Sequence, residues 1–254
     1  MAIAYRYLIC LWSFAAVVGF GQALPPPEVT VRFTVFSRQR LAGLCYLPTK
    51  HSHPLGLKFF IQNKSELFSY SGPADIAFYA EADWARFAQA KESEATSSAL
   101  LPRPVAVAAL PLGMKEALLL FVPLPEALPT GIQFLVLPVN DDRVLFPLGH
   151  VGVINATGRS YMGQVGSKIL DIPPGRGGNI AAIGAVDFRL ACRDEGQWAA
   201  AGHHYFTVGP RTRVCLVLFP ASGPTGVGPI IRTLVDEHRN VDVQLATARL
   251  PLKK

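Results

Sequence analysis

Short apolar segments, interrupted every few residues by glycine, proline, asparagine or aspartate, run through most of the sequence. In 29–36, Val29, Val31, Phe33 and Val35 alternate with other residues, which is typical of a strand with one buried face. Further runs of this kind are 57–61, 75–79, 105–110, 117–122, 132–139, 151–154, 168–172, 185–192, 203–208, 213–219, 230–235 and 241–245. Many short strands with frequent turn signals predict an all-β fold of antiparallel sandwiches or barrels.

The composition agrees with such a fold and excludes other classes. The chain has 22 glycines and 21 prolines, and 17% of its residues are charged while 50% are apolar. A disordered chain would be charge-rich and poor in apolar residues, and a coiled coil would be dominated by Ala, Glu, Lys, Leu and Arg. The net charge is +6, but the basic residues are scattered and form no stripe beside aromatic residues, so no nucleic-acid partner is expected.

One segment departs from the strand pattern. Residues 81–97 place Trp84, Phe87 and Ala88 at helical spacing, although the end of the segment is polar and has no apolar face. It is either a short helix or part of a polar insertion loop over 81–103. Trp84 and Phe87 are candidate anchors for a binding partner, and the alternative is that both rings only pack the segment onto its own domain.

The chain contains signs of an internal repeat. Pro129-Thr130-Gly131 and the apolar run behind it match Pro224-Thr225-Gly226 and its run, including Asp141 and Asp236, at a shift of 95 residues. Upstream, 118–121 matches 216–219 and 60–63 matches 152–155. A repeat of this length is the size of one β-sandwich domain. We therefore predict two tandem antiparallel, Ig-like β-sandwich domains over 24–145 and 146–254; the proline residues near 123–129 leave an earlier boundary open.

The N-terminus has the pattern of a secretory signal peptide over residues 1–23. Arg6 precedes an apolar run from Leu8 to Phe20, and Gly21-Gln22-Ala23 is a small-x-small cleavage site before three prolines. An uncleaved membrane anchor is the alternative, but the run is short for a span. The sequence thus predicts export to the periplasm or the extracellular space, with no membrane span after cleavage.

Three cysteines remain after such a cleavage: Cys45, Cys192 and Cys215. In an exported protein one disulfide could form, and Cys192 with Cys215 is the favoured pair because both lie in strand-like runs of the same half. The alternative is three buried cysteines that pack as small hydrophobic residues. No CxxC pair is present, which argues against a zinc ribbon or a thioredoxin-type site.

The order of these segments resembles a family of uncharacterised exported bacterial proteins with two tandem β-rich repeats. The resemblance is carried by "VRFTVFS", "LAGLCYLP" and "LKFFIQNKSELFSYSGPADIAFY" in the first half, and by "GHVGVINATGR", "GSKILDIPPGRGGNI", "EGQWAAAGHHYFTV", "RTRVCLVLFPASG" and "IIRTLVD" in the second. It implies an exported tandem β-protein, and it supplies no catalytic residues.

Two histidine pairs are the candidate metal ligands. His51 and His53 lie on one side of an extended segment and could supply two ligands, but no third ligand is visible nearby, so a solvated loop is the alternative. His203 and His204 are adjacent, so in a strand they point to opposite faces and are not expected to bind one ion.

The carboxylate pairs and glycine-rich segments are better explained by turns than by catalysis. Asp141-Asp142 and Asp236-Glu237 occupy matching places in the repeat, which favours turns at strand ends over general acid–base chemistry. The segment 173–179 lacks the spacing of a dinucleotide loop and predicts a tight turn. The segment 155–158 predicts a turn in which Gly158 adopts a positive φ.

These observations favour a non-catalytic exported protein that is structural or binds a partner, an envelope protein or polymer, with no cofactor. Two alternatives stay open: an exported polysaccharide hydrolase with its site at loop ends or between the domains, and a small metal-binding module.

Overall fold

Strands dominate the structure, as the sequence predicts. This computed structural model describes residues 27–92, 102–175, 177–194, 197–221 and 228–237. The first eight strands are β1 Glu28–Ser37, β2 Leu44–Tyr46, β3 Leu55–Gly56, β4 Phe68–Pro73, β5 Asp75–Ala80, β6 Ala106–Ala109, β7 Glu116–Pro123 and β8 Phe134–Asn140. The next eight are β9 His150–Asn155, β10 Tyr161–Val165, β11 Lys168–Ile172, β12 Gly177–Ala181, β13 Gly184–Asp194, β14 Gln197–Val208, β15 Thr212–Phe219 and β16 Ile230–Glu237.

Helix α1 spans Glu81–Glu92 and begins directly after β5. The first part of the predicted insertion loop over 81–103 is therefore helical, and 93–101 lies outside the described residues. The acidic residues Glu81 and Asp83 stand in the first turn, where negative charge complements the helix dipole. Arg86 pairs with Asp83 at 2.6 Å, one turn away.

Strands β1–β8 form one sheet that folds over a core. Its order is β3-β2-β5-β6-β8-β7-β1-β4, with β1 parallel to β7 and antiparallel to β4. The ring of Phe33 in β1 lies 5.1 Å from Tyr46 in β2 and 6.5 Å from Phe78 in β5. These strands are not neighbours in the sheet, so its two ends face each other across these rings.

Strands β9–β16 form two four-stranded sheets, ordered β12-β9-β15-β16 and β11-β10-β13-β14. Val151 and Leu216 of the first sheet share a hydrophobic cluster with Phe188 and Leu190 of the second. The sheet of the first half contains the corresponding two orders, β4-β1-β7-β8 and β3-β2-β5-β6. Adding eight to each strand number gives the orders of the second half. The parallel pair β9–β15 stands where β1–β7 stands in the first half.

Two of the sequence matches between the halves need correction. The segment 60–63 lies outside any strand, whereas 152–155 belongs to β9, whose place in the strand order is that of β1. The match of 118–121 with 216–219 is displaced by one residue, because Leu118 lies in the cluster between the halves while Leu216 faces the core of its own half. Similar apolar runs align at either register, and only burial distinguishes the two faces.

The two halves meet through the sheets that contain the parallel pairs. Phe36, Leu118 and Leu120 of the first half form one buried cluster with Val217 and Phe219 of the second. The rings of Phe36 and Phe219 are 6.0 Å apart. Strands β7 and β15 are therefore buried on both faces, which explains why their sequences are nearly continuous apolar runs rather than alternating ones.

All three described cysteines are buried free thiols, so the structure does not join Cys192 to Cys215. Cys192 faces the core inside the second half, and Cys215 faces the cluster between the halves. Cys215 points away from the core that contains Cys192, out of the other face of its sheet. This arrangement therefore does not form the predicted disulfide between Cys192 and Cys215. Both residues lie in strands, but successive side chains of a strand point to opposite faces, and this alternation places Cys215 on the face away from Cys192.

Both predicted turns form, but one of them is stabilised by a side chain instead of by a glycine with positive φ. Gly175 has a φ of +70° between β11 and β12, as expected for the turn in 173–179. Gly158, in contrast, is not among the residues with positive φ. Its turn is held by the side chain of Asn155, whose oxygen accepts hydrogen bonds from the backbone N–H and the hydroxyl of Thr157 at 2.9 and 2.7 Å.

The predicted signal peptide, residues 1–23, lies outside the described residues. Among the residues that are described, no helix has the length and apolar character needed to cross a membrane.

Candidate ligand-binding groove

Two features that the sequence indicated separately line one groove. His51 and His53 lie on the loop between β2 and β3, and Trp84 and Phe87 lie on α1; a space of 890 Å³ separates the loop from the helix. We call this space, bounded by these four residues and Glu81, the Trp84 groove.

The helical spacing explains how α1 forms one wall of the groove. One face of the helix carries four residues that line the groove: Glu81, Trp84, Ala85 and Ala88. Residues three or four positions apart lie on the same side of a helix, which explains this arrangement. Ala85 and Ala88 are exposed and small, so they leave open space in front of the larger side chains.

The aromatic rings of the groove make edge-to-face contacts. The ring centre of Trp84 lies 5.5 Å from that of Tyr79 and 5.3 Å from that of Phe87. In both pairs the ring planes are nearly perpendicular, at 87° and 88°. Such edge-to-face contacts stabilise a pair by about 1 kcal/mol beyond the area that it buries. Both Trp84 and Phe87 remain only partly buried, so these contacts leave part of each ring accessible.

The indole N–H of Trp84 is buried and has no hydrogen-bond partner among the described residues. A buried donor without an acceptor costs about 1–3 kcal/mol, and most native donors are paired. Trp84 therefore carries, beside the groove, a donor that is unpaired and covered in this structure.

Glu81 supplies the fixed negative charge of the groove. Its carboxylate lies against Gly56, where a Cβ atom would come within 2.5 Å of Oε1, so the absence of a side chain at position 56 makes room for it. Within the part of the chain that is described, Glu81 forms no ion pair. Burial, followed by the negative charge of Glu81, raises the pKa of the Cys45 thiol to about 11, so this thiol is protonated at neutral pH.

The histidines do not assemble a metal centre among the described residues. No group of three or more His, Cys, Asp or Glu side chains there is arranged to hold an ion. His203 and His204 diverge as predicted: His203 pairs with Asp187, and Nε2 of His204 lies 2.8 Å from the hydroxyl of Thr233.

The two carboxylates at matching places of the repeat, Asp141 and Asp236, meet between the halves. Lys64 Nζ lies 2.8 Å from Asp141 Oδ2 and 2.6 Å from Asp236 Oδ2. Arg213 Nη2 lies 3.0 Å from Asp141 Oδ1 and 2.7 Å from Asp236 Oδ2. We call these four residues the Lys64–Arg213 cluster. The sequence indicated the two aspartates as turn residues and missed both cations.

The electrostatics of this cluster favour a structural role. Burial alone would raise the pKa of Asp236, but the charges and hydrogen bonds of Lys64 and Arg213 together lower it. A general acid for glycoside hydrolysis needs a raised pKa and a free proton to give. Asp236 is instead held ionised between two cations.

No family model matches this chain, and the curated proteins contain no significant match to it. The roles of the Trp84 groove and the Lys64–Arg213 cluster are therefore inferred from their geometry.

Sequence reasoning missed Glu81 as a member of the groove, although the signal was present. It opens the predicted segment three residues before Trp84, and that spacing places it on the same helix face. The approach of Glu81 to Gly56, in contrast, is a contact between distant parts of the chain, and no local pattern indicates it.

Proposed function

We propose that this chain is a non-catalytic exported protein of the cell envelope or the extracellular space, and that it binds a partner or ligand in the Trp84 groove. Export rests on the N-terminal signal pattern and on the resemblance to exported tandem β-rich proteins. The observation that carries the binding proposal is the pair of partly exposed aromatic residues, Trp84 and Phe87, that line an open groove beside Glu81.

The scaffold in this proposal is a pair of tandem Ig-like β-sandwich domains over 24–145 and 146–254. The equal strand orders and the equal places of the parallel pairs support it. Two duplicated sandwiches packed through a shared cluster would give α1 and its groove a rigid base.

A hydrolase site between the domains is less favoured. The cleft beside the Lys64–Arg213 cluster has a volume of 900 Å³ and is lined by several charged residues. Its two converging carboxylates, Asp141 and Asp236, already share two cations. They hold the halves together instead of facing a substrate with a free proton.

Partner capture tests the binding proposal. We expect the immobilised chain to retain a partner from envelope and culture fractions, and the double variant W84A/F87A to lose at least about 90% of it, since these rings form one wall of the groove. The matched control is W198A, which removes a half-exposed tryptophan from the other half. Circular dichroism and thermal unfolding establish that each variant is folded.

Equal recovery of the partner by all three proteins would contradict the proposal. Turnover of a polysaccharide by the native chain would contradict its non-catalytic part.

A further inference from the structure

We infer that the Trp84 groove takes a substituted ammonium group, such as that of choline, held between the carboxylate of Glu81 and the faces of Trp84 and Phe87. This inference rests on the proposed binding function and specifies its ligand chemistry. The same group occurs on free small molecules and on methylated lysine side chains.

Charge complementarity is the first argument. Glu81 is the groove's carboxylate, and it forms no ion pair among the described residues, although the chain as a whole has a net charge of +6. Arg40 and Lys58 line a neighbouring depression that Glu81 also borders, yet neither forms an ion pair with it. An entering cation would complete the charge balance of Glu81.

The aromatic walls are the second argument. The faces of aromatic rings carry negative partial charge, and tryptophan attracts cations most strongly. Trp84 and Phe87 stand at 88° to each other and so form two walls of a notch on the same helix as Glu81. Quaternary ammonium groups are recognised in aromatic surroundings of this kind because their methyl groups pack while their charge is attracted.

The unpartnered donor adds a requirement on the ligand. The indole N–H of Trp84 is covered and lacks an acceptor, so a hydroxyl or carboxyl oxygen close to the ammonium group would pair with it when the indole ring turns towards the groove. Ala85 and Ala88 leave room for the methyl groups, and His51 and His53 offer further hydrogen-bonding groups on the opposite wall.

The experiment titrates the full chain carrying W12F and W198F, so that Trp84 is its single tryptophan, with four probes. These are choline, its uncharged carbon isostere 3,3-dimethylbutan-1-ol, tetramethylammonium, and a peptide containing trimethyl-lysine. We expect choline to bind at least about tenfold more tightly than the isostere. E81Q should weaken choline binding about tenfold, whereas D83N, an acid of the same helix turn already paired with Arg86, should change it less than about twofold.

Trp84→Phe separates the ring from its N–H, and it is titrated by calorimetry because it removes the fluorescent tryptophan. We expect it to weaken choline, which has a hydroxyl oxygen, by a larger factor than tetramethylammonium, which has none. Tighter binding of the peptide than of choline would identify the source of the ammonium group as a protein side chain. Tighter binding of choline would identify it as a free solute, and either result supports the ammonium site.

Equal affinity for choline and its isostere, or no saturable binding of any cation, would overturn the inference. If partner capture still depends on Trp84 in that case, the proposed function stands and only the ligand class is wrong.

Discussion

Replacing Arg213 with methionine is expected to lower the free energy of unfolding by about 3 kcal/mol, because it leaves two partly buried carboxylates with only one cation. The Arg213 side chain is 5% exposed. It also donates from Nη1 to the backbone oxygens of Asp141 and Phe146, at 2.9 and 3.1 Å, and its guanidinium lies 5.1 Å from the Phe146 ring centre. Urea unfolding of the two proteins measures the difference.

Arg32→Met is the matched control for this change. Arg32 pairs with Glu116, but its side chain is 58% exposed, and exposed ion pairs contribute at most about 1 kcal/mol. A loss no larger for R213M than for R32M would mean that the Lys64–Arg213 cluster does not hold the halves together.

Gly177→Ala should also destabilise the chain strongly, by about 3 kcal/mol. A Cβ atom at Gly177 in β12 would overlap the carbonyl oxygen of Val153 in the adjacent strand β9. Because the obstacle is backbone, no side chain can move aside, and the two strands would have to separate. Thermal or urea unfolding of the variant is the measurement.

Gly158→Ala is the control for the glycine change, since nothing lies within 4 Å of a Cβ atom there and its φ is not positive. Its stability should stay within about 0.5 kcal/mol of the native chain. Equal stability of the two alanine variants would show that β12 does not pair with β9 in the register described.

The strands that sequence predicts best are those with a clear apolar pattern. The run 29–36 corresponds to β1, and 168–172 coincides with β11. The sequence does not predict strand β4, Phe68–Pro73, because a serine follows each of its buried rings, Phe68 and Tyr70, and a glycine and a proline end the strand. Strand β12 begins with two glycines, which predict a turn, so the sequence does not indicate it as a strand.

The opposite error occurs at 57–61, which the sequence predicts as a strand. Leu57 and Phe59 are buried, while Phe60 and Ile61 are about half exposed, and the segment is a loop after β3. Apolar character there reflects contact with the core and not pairing with a neighbouring strand. Alternation alone does not separate the two.

The candidate site could be predicted only in parts. The sequence identified His51, His53, Trp84 and Phe87, but their meeting in one groove depends on how α1 returns over the sheet from β5. Likewise, Lys64 and Arg213 are far apart in the sequence, and no local pattern relates either to Asp141. Contacts between distant residues are fixed by packing, which spacing does not reveal.

The indole ¹⁵N–¹H resonance of Trp84 tests the central claim most directly. Titrating the captured partner into the labelled chain should shift the Trp84 signal downfield as its buried N–H gains an acceptor, while the signal of Trp198 stays unchanged. A partner that binds while the Trp84 resonance stays fixed, or that moves only Trp198, would contradict the assignment of the Trp84 groove as the binding site.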